Sequence, residues 1–372
     1  MLGGIFFKAG SRRQKPGAHT RLKIHRIVRN FIGLIAAANL LSVGFFSDAH
    51  ASSVVSASLT LINGWKRAPY STAKPAAVLI NGIVHLKGAI STSGVNNVAF
   101  MLPDGFIPSA NVFVSVDMAG ATHGQLSITT DGTVQVQAQT SFSNAQTFTS
   151  LDGVSFALSA TSYKPLNLKN GWVSGIFGTE QAGFRNFSGV VHLEGGLATN
   201  GKNPAPFVLP PSSRPTANVY VPVDMCNATK GQLVITPAGT VTVVAETSFS
   251  FAQCLTSLDG VAFPVNADSY SPLTLINGWT NAPSSTRWAG VRLINGVAQF
   301  QGAIATTSTN ASPFLLALSF RPRSNVYVPV TLCNGAKGRL DVGTGGNVTV
   351  QAETLFSNVQ CMTSLEGVSF HL

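Results

Sequence analysis

The chain has 372 residues, 45% hydrophobic and 10% charged, with a formal net charge of +10. Its length suggests two or three domains, but the charge is unevenly placed: residues 1–51 hold eight of the 24 basic side chains and one acid, Asp48, leaving 16 basic against 13 acidic beyond them. No basic run stands out in that remainder, which argues against the phosphate-tracking patch of a nucleic-acid binder.

The first predicted element is a leader. Lys8, Arg12, Arg13, Lys15, Arg21, Lys23, Arg26 and Arg29 precede the apolar run FIGLIAAANLLSVGFF, and small residues follow at Ala49 and Ala51. That order is a secretory signal peptide over 1–51 with cleavage after Ala51. The apolar run is shorter than the ~20 residues of a spanning helix. No later segment is apolar over such a length, so the expected product is an exported chain without a membrane segment, secreted or held at the cell surface or in the periplasm.

Beyond the leader the chain repeats itself at a fixed step of 107 residues. LTLINGW, LNLKNGW and LTLINGW place Asn63-Gly64-Trp65, Asn170-Gly171-Trp172 and Asn277-Gly278-Trp279 in register. NVFVSVDM, NVYVPVDM and NVYVPVTL follow the same step, as do SLDG, SLDG and SLEG. A period this long is a whole domain rather than a solenoid turn, giving repeats over 57–158, 164–265 and 271–372. Each reads as β: short β-branched runs with period-two alternation, such as TVQVQ, are separated by Asn-Gly and Asp-Gly turns. No helical periodicity is visible after the leader. The reading is all-β, three tandem antiparallel β-sandwich domains of jelly-roll type. The SATSYK join between the first two spans at most about 20 Å, so the repeats are expected to touch.

Four cysteines fall at Cys226, Cys254, Cys333 and Cys361, spaced 28 apart within each of the last two repeats. The first repeat has Ala119 and Thr147 in their places. Paired presence and paired loss predict disulfides Cys226–Cys254 and Cys333–Cys361. A metal site would need further thiolates or histidines at suitable spacing, and none is present.

Catalysis finds little to work with. The acid kept in every repeat, Asp152, Asp259 and Glu366, lies in the S-L-[DE]-G turn and has no visible acid–base partner. His85 and His192 are equivalent but give way to Gln299 in the third repeat, and read as strand-face residues. No phosphate loop, hydrolase motif or calcium loop appears. The expectation is a protein that is not an enzyme and takes no cofactor or metal.

The ordered set of an L-x-L-x-NGW opening, a V-x-L-x-G strand, an LP-x-GFRP-like segment, a VYVPV strand and a closing SL-[DE]-G turn resembles the receptor-binding head domain of bacteriophage tail fibres and baseplate proteins, and related bacterial exported proteins. The resemblance covers nearly all of each repeat. It implies a small antiparallel β-sandwich that assembles in threes and binds cell-surface saccharide. Three heads in one chain imply a covalent pseudo-trimer, a monomer with an internal threefold arrangement. The family's Arg-Pro pair maps onto Arg214-Pro215 and Arg321-Pro322, with Ile107-Pro108 in the first repeat, and because one repeat does without it the arginine is expected to form a structural salt bridge or serve an interface rather than touch a ligand.

The loops just after NGW diverge between repeats, and variable loops on a fixed β scaffold are where recognition usually lives. They carry Tyr70, Phe177, Arg287 and Trp288, the candidate ligand-binding set, with the aromatics read as standing at non-equivalent places. Aromatic faces suit sugar rings. NGW itself is expected to be structural: the Asn-Gly pair supplies a turn and the tryptophan packs into the core. The functional expectation is an exported adhesion or binding module for cell-surface or extracellular polysaccharide. The alternative is a structural surface or matrix protein with no specific small ligand.

Overall fold

The NVFVSVDM segment shows how the sequence builds its strands. Over Val112–Met118, Val112, Val114 and Val116 are buried while Phe113 and Ser115 between them are half-buried, because successive side chains point to opposite faces of a sheet. The same segment forms Val219–Met225 in the second repeat and Val326–Thr331 in the third. The computed structural model describes residues 54–372, and the expected leader over 1–51 with its cleavage after Ala51 lies outside the described residues. No helix among the described residues is long and apolar enough to cross a membrane.

The fold is all-β, with antiparallel sheets arranged sandwich-like. In the first repeat a four-stranded sheet runs in the order Val54–Ser58, Ala76–Ile80, Ile83–Lys87, Ser155–Ala157. A seven-stranded sheet carries Lys66–Arg67, Ala89–Ser91, Thr149–Ser150, Val112–Met118, Thr122–Ile128, Thr133–Ala138 and Val98–Met101. The second repeat has the same order strand for strand. In the third, the larger sheet is divided into two three-stranded parts, linked by a bridge between Leu332 and Thr363. Both sheets of the first repeat feed one apolar cluster, with Ala77, Val84 and Leu86 from the smaller and Val114, Leu126 and Val134 from the larger. Separate clusters are drawn from the second and third repeats.

The expectation of helix-free repeats is corrected. Phe142–Thr147, Phe249–Cys254 and Phe356–Cys361 are helices of six residues each. Fewer than two turns cannot establish a 3.6-residue period in a sequence. Ser141 and Ser248 cap the first two, their hydroxyls accepting from the Ser143 and Ser250 N–H at 3.3 Å, a standard way to satisfy a free helix donor. Both disulfides pair as expected, Cys226–Cys254 and Cys333–Cys361, with Cα atoms 5.8 Å apart in each. Each ties the last residue of a helix to the turn that follows the long central strand. Closing a 28-residue loop contributes about 3.6 kcal/mol on the chain-entropy account.

The repeats make equivalent contacts with one another. Asn111 of the first repeat bridges Thr179 of the second, Asn218 bridges Thr286 of the third, and Asn325 bridges Thr72 back in the first. The backbone N–H groups of Asn111, Asn218 and Asn325 donate to Gly178, Ser285 and Ser71, and their side-chain amides to the carbonyls of Phe177, Ser284 and Tyr70. The three long strands Val112–Met118, Val219–Met225 and Val326–Thr331 each lie against the other two. A Cβ on Gly153 would stand 2.7 Å from the Val328 side chain, one on Gly260 3.5 Å from Val114, and one on Gly367 3.0 Å from Val221. The glycine of each S-L-[DE]-G turn therefore marks a seam between repeats as well as a turn.

The seams are polar as well as apolar. Asp224, fully buried, takes hydrogen bonds from His123 Nε2 and Gln125 of the preceding repeat. Lys230 Nζ, also buried, donates to the carbonyls of Val330, Gly335 and Ala336 at 3.2, 3.2 and 2.6 Å. Arg339 pairs with Asp117 at 3.2 Å, joining the third repeat to the first. Buried polar and ionisable groups are costly unless they find partners, so each one constrains which face meets which.

Candidate functional site

The loop after each NGW begins from a fixed base. Asn63 and Gly64 have φ of 52° and 81°, the second and third repeats match them, and such values favour Asn and Gly. Each asparagine amide donates to its own repeat, to Val98, Ala205 and Ser312. Trp65, Trp172 and Trp279 are buried, and their indole N–H groups donate to the carbonyls of Asn96, Asn203 and Asn310 at 3.0, 2.9 and 2.9 Å. Trp65 and Trp172 meet Phe142 and Phe249 of the short helices edge to face.

The four candidate ligand contacts separate into three groups. Tyr70 and Phe177 lie exactly one repeat apart, so they are equivalent rather than at different places, and Ser284 is the third member. All three have positive φ in a short 3-10 turn, and Tyr70 and Phe177 project large exposed rings. Trp288 is 70% exposed and stands elsewhere in its loop. Arg287 leaves the set: it is buried between the second and third repeats, donating Nη1 and Nη2 to Pro264 and Val265 at 2.8 Å, with Glu366 at 3.8 Å. Its guanidinium is committed to protein acceptors and acts as a tie.

The Arg-Pro arginines also turn inward. Arg214 Nε donates to the Leu209 carbonyl at 2.9 Å and Arg321 Nε to Leu316 at 2.8 Å. They lie over Gly239 and Gly346, where Ile107 of the first repeat covers Gly132. A methyl-rich side chain can therefore replace the arginine without leaving space. The role is local loop pinning rather than a salt bridge.

Of the expected set, Tyr70 lines a cavity with aromatic partners. Between the first and third repeats, Tyr70, Ala119, Gly120 and Phe148 face Tyr327, Arg339 and Asp341 across about 230 Å³. Tyr70 and Phe148 meet edge to face at 5.6 Å, and Phe148 and Tyr327 at 4.9 Å. The Arg339 guanidinium lies 5.0 Å from the centre of the Tyr327 ring, and its Nε is buried without a partner. Burial raises the carboxyl pKa of Asp341, an effect that nearby Arg339 opposes. Burial also pushes Asp117 behind Arg339 up to about 7.

This cleft coincides with the departure of the first repeat from the other two. Ala119 and Gly120 stand where the other repeats have Cys226-Asn227 and Cys333-Asn334. At the matching seam of the third repeat, Cys333 and Met362 pack together with Tyr220. Loss of the cysteine thus removes bulk from the wall of the cleft. Sequence reasoning missed Tyr327, Arg339 and Asp341, because they meet Tyr70 only across the chain-closing seam, and Phe148, which lies 78 residues further along the same repeat. The available signal was the missing cysteine pair.

Three aromatic rings, one guanidinium and one half-buried carboxylate can bind apolar faces and hydroxyls together. No histidine lines the cleft, and no group of three or more metal-ligating side chains is gathered among the described residues. Comparison of the chain with protein families, with curated proteins and with solved structures gave no match.

Proposed function

We propose that this chain is an exported, non-enzymatic binding or adhesion protein that recognises saccharide on a cell surface or in an extracellular matrix. On this reading the repeats are three tandem jelly-roll-like β-sandwich domains similar to phage tail-fibre heads, packed in one chain as a pseudo-trimer. The cyclic succession of equivalent contacts at Asn111, Asn218 and Asn325 supports the arrangement. The observation that carries the function is the cleft of Tyr70, Phe148, Tyr327, Arg339 and Asp341. Its volume lies below the ~300–1,000 Å³ of drug-sized pockets, a fit for one terminal sugar ring. Aromatic faces would pack on the ring's C–H groups, while Asp341 accepts and Arg339 donates hydrogen bonds to its hydroxyls.

A glycan array tests the reading. The chain is expected to bind a subset of glycans sharing a terminal sugar, and Tyr70→Ala, at an exposed position, is expected to weaken that binding about tenfold or more, one tenfold step being ~1.4 kcal/mol. Phe177→Ala, at the equivalent seam, serves as the control and should bind as the parent does. Absence of binding to every glycan, with assembly of the chain into higher-order structures, would instead support a structural surface or matrix protein.

A further inference from the structure

A second cavity lies where three equivalent hairpins converge. Their turns are Asn81-Gly82, Ser188-Gly189 and Asn295-Gly296, and beside them lies a partly open pocket of about 40 Å³. His85, His192 and Gln299, at one register position of the three repeats, share this cavity with Arg185 and Arg292. The volume exceeds the ~10–15 Å³ required by a single water-sized occupant, which is enough for one monatomic ion.

The charges around it are one-sided. Arg185 and Arg292 each bring a guanidinium, and neither forms an ion pair within 4.0 Å among the described residues. Arg292 is buried, with Nε and Nη2 on Gln299 Oε1 at 3.2 and 3.0 Å and Nη1 near Ser188 O and Ser269 Oγ. Arg185 donates Nη1 to Ser162 Oγ at 2.9 Å and Nη2 to Asn81 O at 3.0 Å, while its Nε is buried with no partner. These acceptors are all neutral. Arg292 is buried and Arg185 half-buried, and a cation drawn out of water among neutral groups favours a counter-charge beside it.

The neighbouring imidazoles can help supply donors. His85 and His192 are neutral, their pKa values lowered to about 3 chiefly by burial, with further lowering at His192 from Arg185 and Arg292. A neutral imidazole keeps one N–H to give. His371 packs edge to face on His85 at 5.6 Å, and its Nε2 is also buried without a partner. The rest of the wall is largely aliphatic and aromatic, which suits a weakly hydrated anion better than a strongly hydrated one.

We propose that this cavity is a halide site, taking chloride in an extracellular setting, with Arg185 and Arg292 as its cationic walls. One ion would offset part of the guanidinium charge and join hairpins from all three repeats. The site is separate from the saccharide cleft and does not depend on it.

Crystals of the full chain grown or soaked in sodium bromide test this directly. An anomalous bromide peak beside Arg185 and Arg292 is expected, and water alone at that position would overturn the proposal. In parallel, thermal unfolding in sodium chloride and in sodium gluconate at equal ionic strength should show a saturable, chloride-specific rise in Tm. Arg185→Met should abolish that rise, while Arg323→Gln, an exposed arginine elsewhere, should retain it. A rise that persists in Arg185→Met, or equal Tm values in the two salts, would refute the site. Should Arg185→Met fail to fold, the bromide map of the unaltered chain decides the matter alone.

Discussion

Replacing Trp65 with alanine is expected to destabilise the first repeat by about 3–5 kcal/mol, the usual cost of removing a large buried ring. The indole is 5% exposed and belongs to the core cluster that joins both sheets. It packs edge to face on Phe142 with centroids 6.3 Å apart, and it closes the Asn96 carbonyl with a 3.0 Å hydrogen bond. Truncation would leave a cavity and remove that hydrogen bond together. Trp65→Phe separates these effects: it restores most of the volume but not the N–H, so it should cost less, with about 1 kcal/mol assigned to the lost hydrogen bond. Chemical denaturation followed by near-ultraviolet circular dichroism measures both. The first repeat is the sensitive place for the test, since Ala119 and Thr147 replace the disulfide that staples the others. A loss below about 1 kcal/mol for Trp65→Ala would remove the tryptophan from the core account.

The second large effect concerns the buried acid of the S-L-[DE]-G turn. Asp152 Oδ1 accepts from the Gly88 N–H at 3.0 Å, whereas Oδ2 is buried with no partner. Burial pushes its pKa from 3.8 up to about 7, with the Gly88 hydrogen bond and Lys87 pulling the other way. Asp259 is pushed up to about 6 and Glu366 to about 7, again mainly by burial. A raised carboxyl pKa means that the folded chain holds the proton more tightly than the unfolded chain. Stability from this group is therefore intact below the unfolded value and declines as pH climbs from about 4 to about 7. Asp152→Asn keeps an acceptor for Gly88 and removes the charge. Its stability relative to the parent should improve by about 2–3 kcal/mol between pH 5 and pH 8, at ~1.4 kcal/mol per pKa unit. The four buried or half-buried histidines titrate in both proteins and cancel in the comparison. Urea melts at the two pH values provide the readout, and a gap between variant and parent that stays constant with pH would contradict the buried, proton-holding carboxyl.

The elements legible in the sequence are those governed by local rules. Asn63-Gly64 announces positive φ because few other pairs tolerate it, and the cysteines announce their pairing by being gained and lost together. Alternation in NVFVSVDM and TVQVQA identifies strands because each has one face in a core. The short helices were hidden because a six-residue turn bounded by strands leaves no periodic signature. The seams were hidden for another reason. His123 meets Asp224, Arg339 meets Asp117 and Tyr70 meets Tyr327 at separations of roughly one or two repeats, and no local pattern encodes which faces dock. Arg287 illustrates the consequence: in a divergent, polar loop it reads as a ligand contact, yet the neighbouring repeat supplies the Pro264 and Val265 carbonyls that bury it. Tyr70 sits in a similar loop, and there the seam leaves space instead of filling it.

The central claim is that one chain closes its own ring of three repeats and so creates the seam that holds the cleft. The contacts that complete the ring are Asn325 with Thr72 and Arg339 with Asp117. Light scattering coupled to size-exclusion chromatography measures this most directly, at protein concentrations spanning two or three decades. The account predicts the mass of a single chain throughout, because every seam is satisfied internally. A stable particle of three chains, or a mass that rises steadily with concentration, would show that the repeats complete their seams with other molecules and would contradict it.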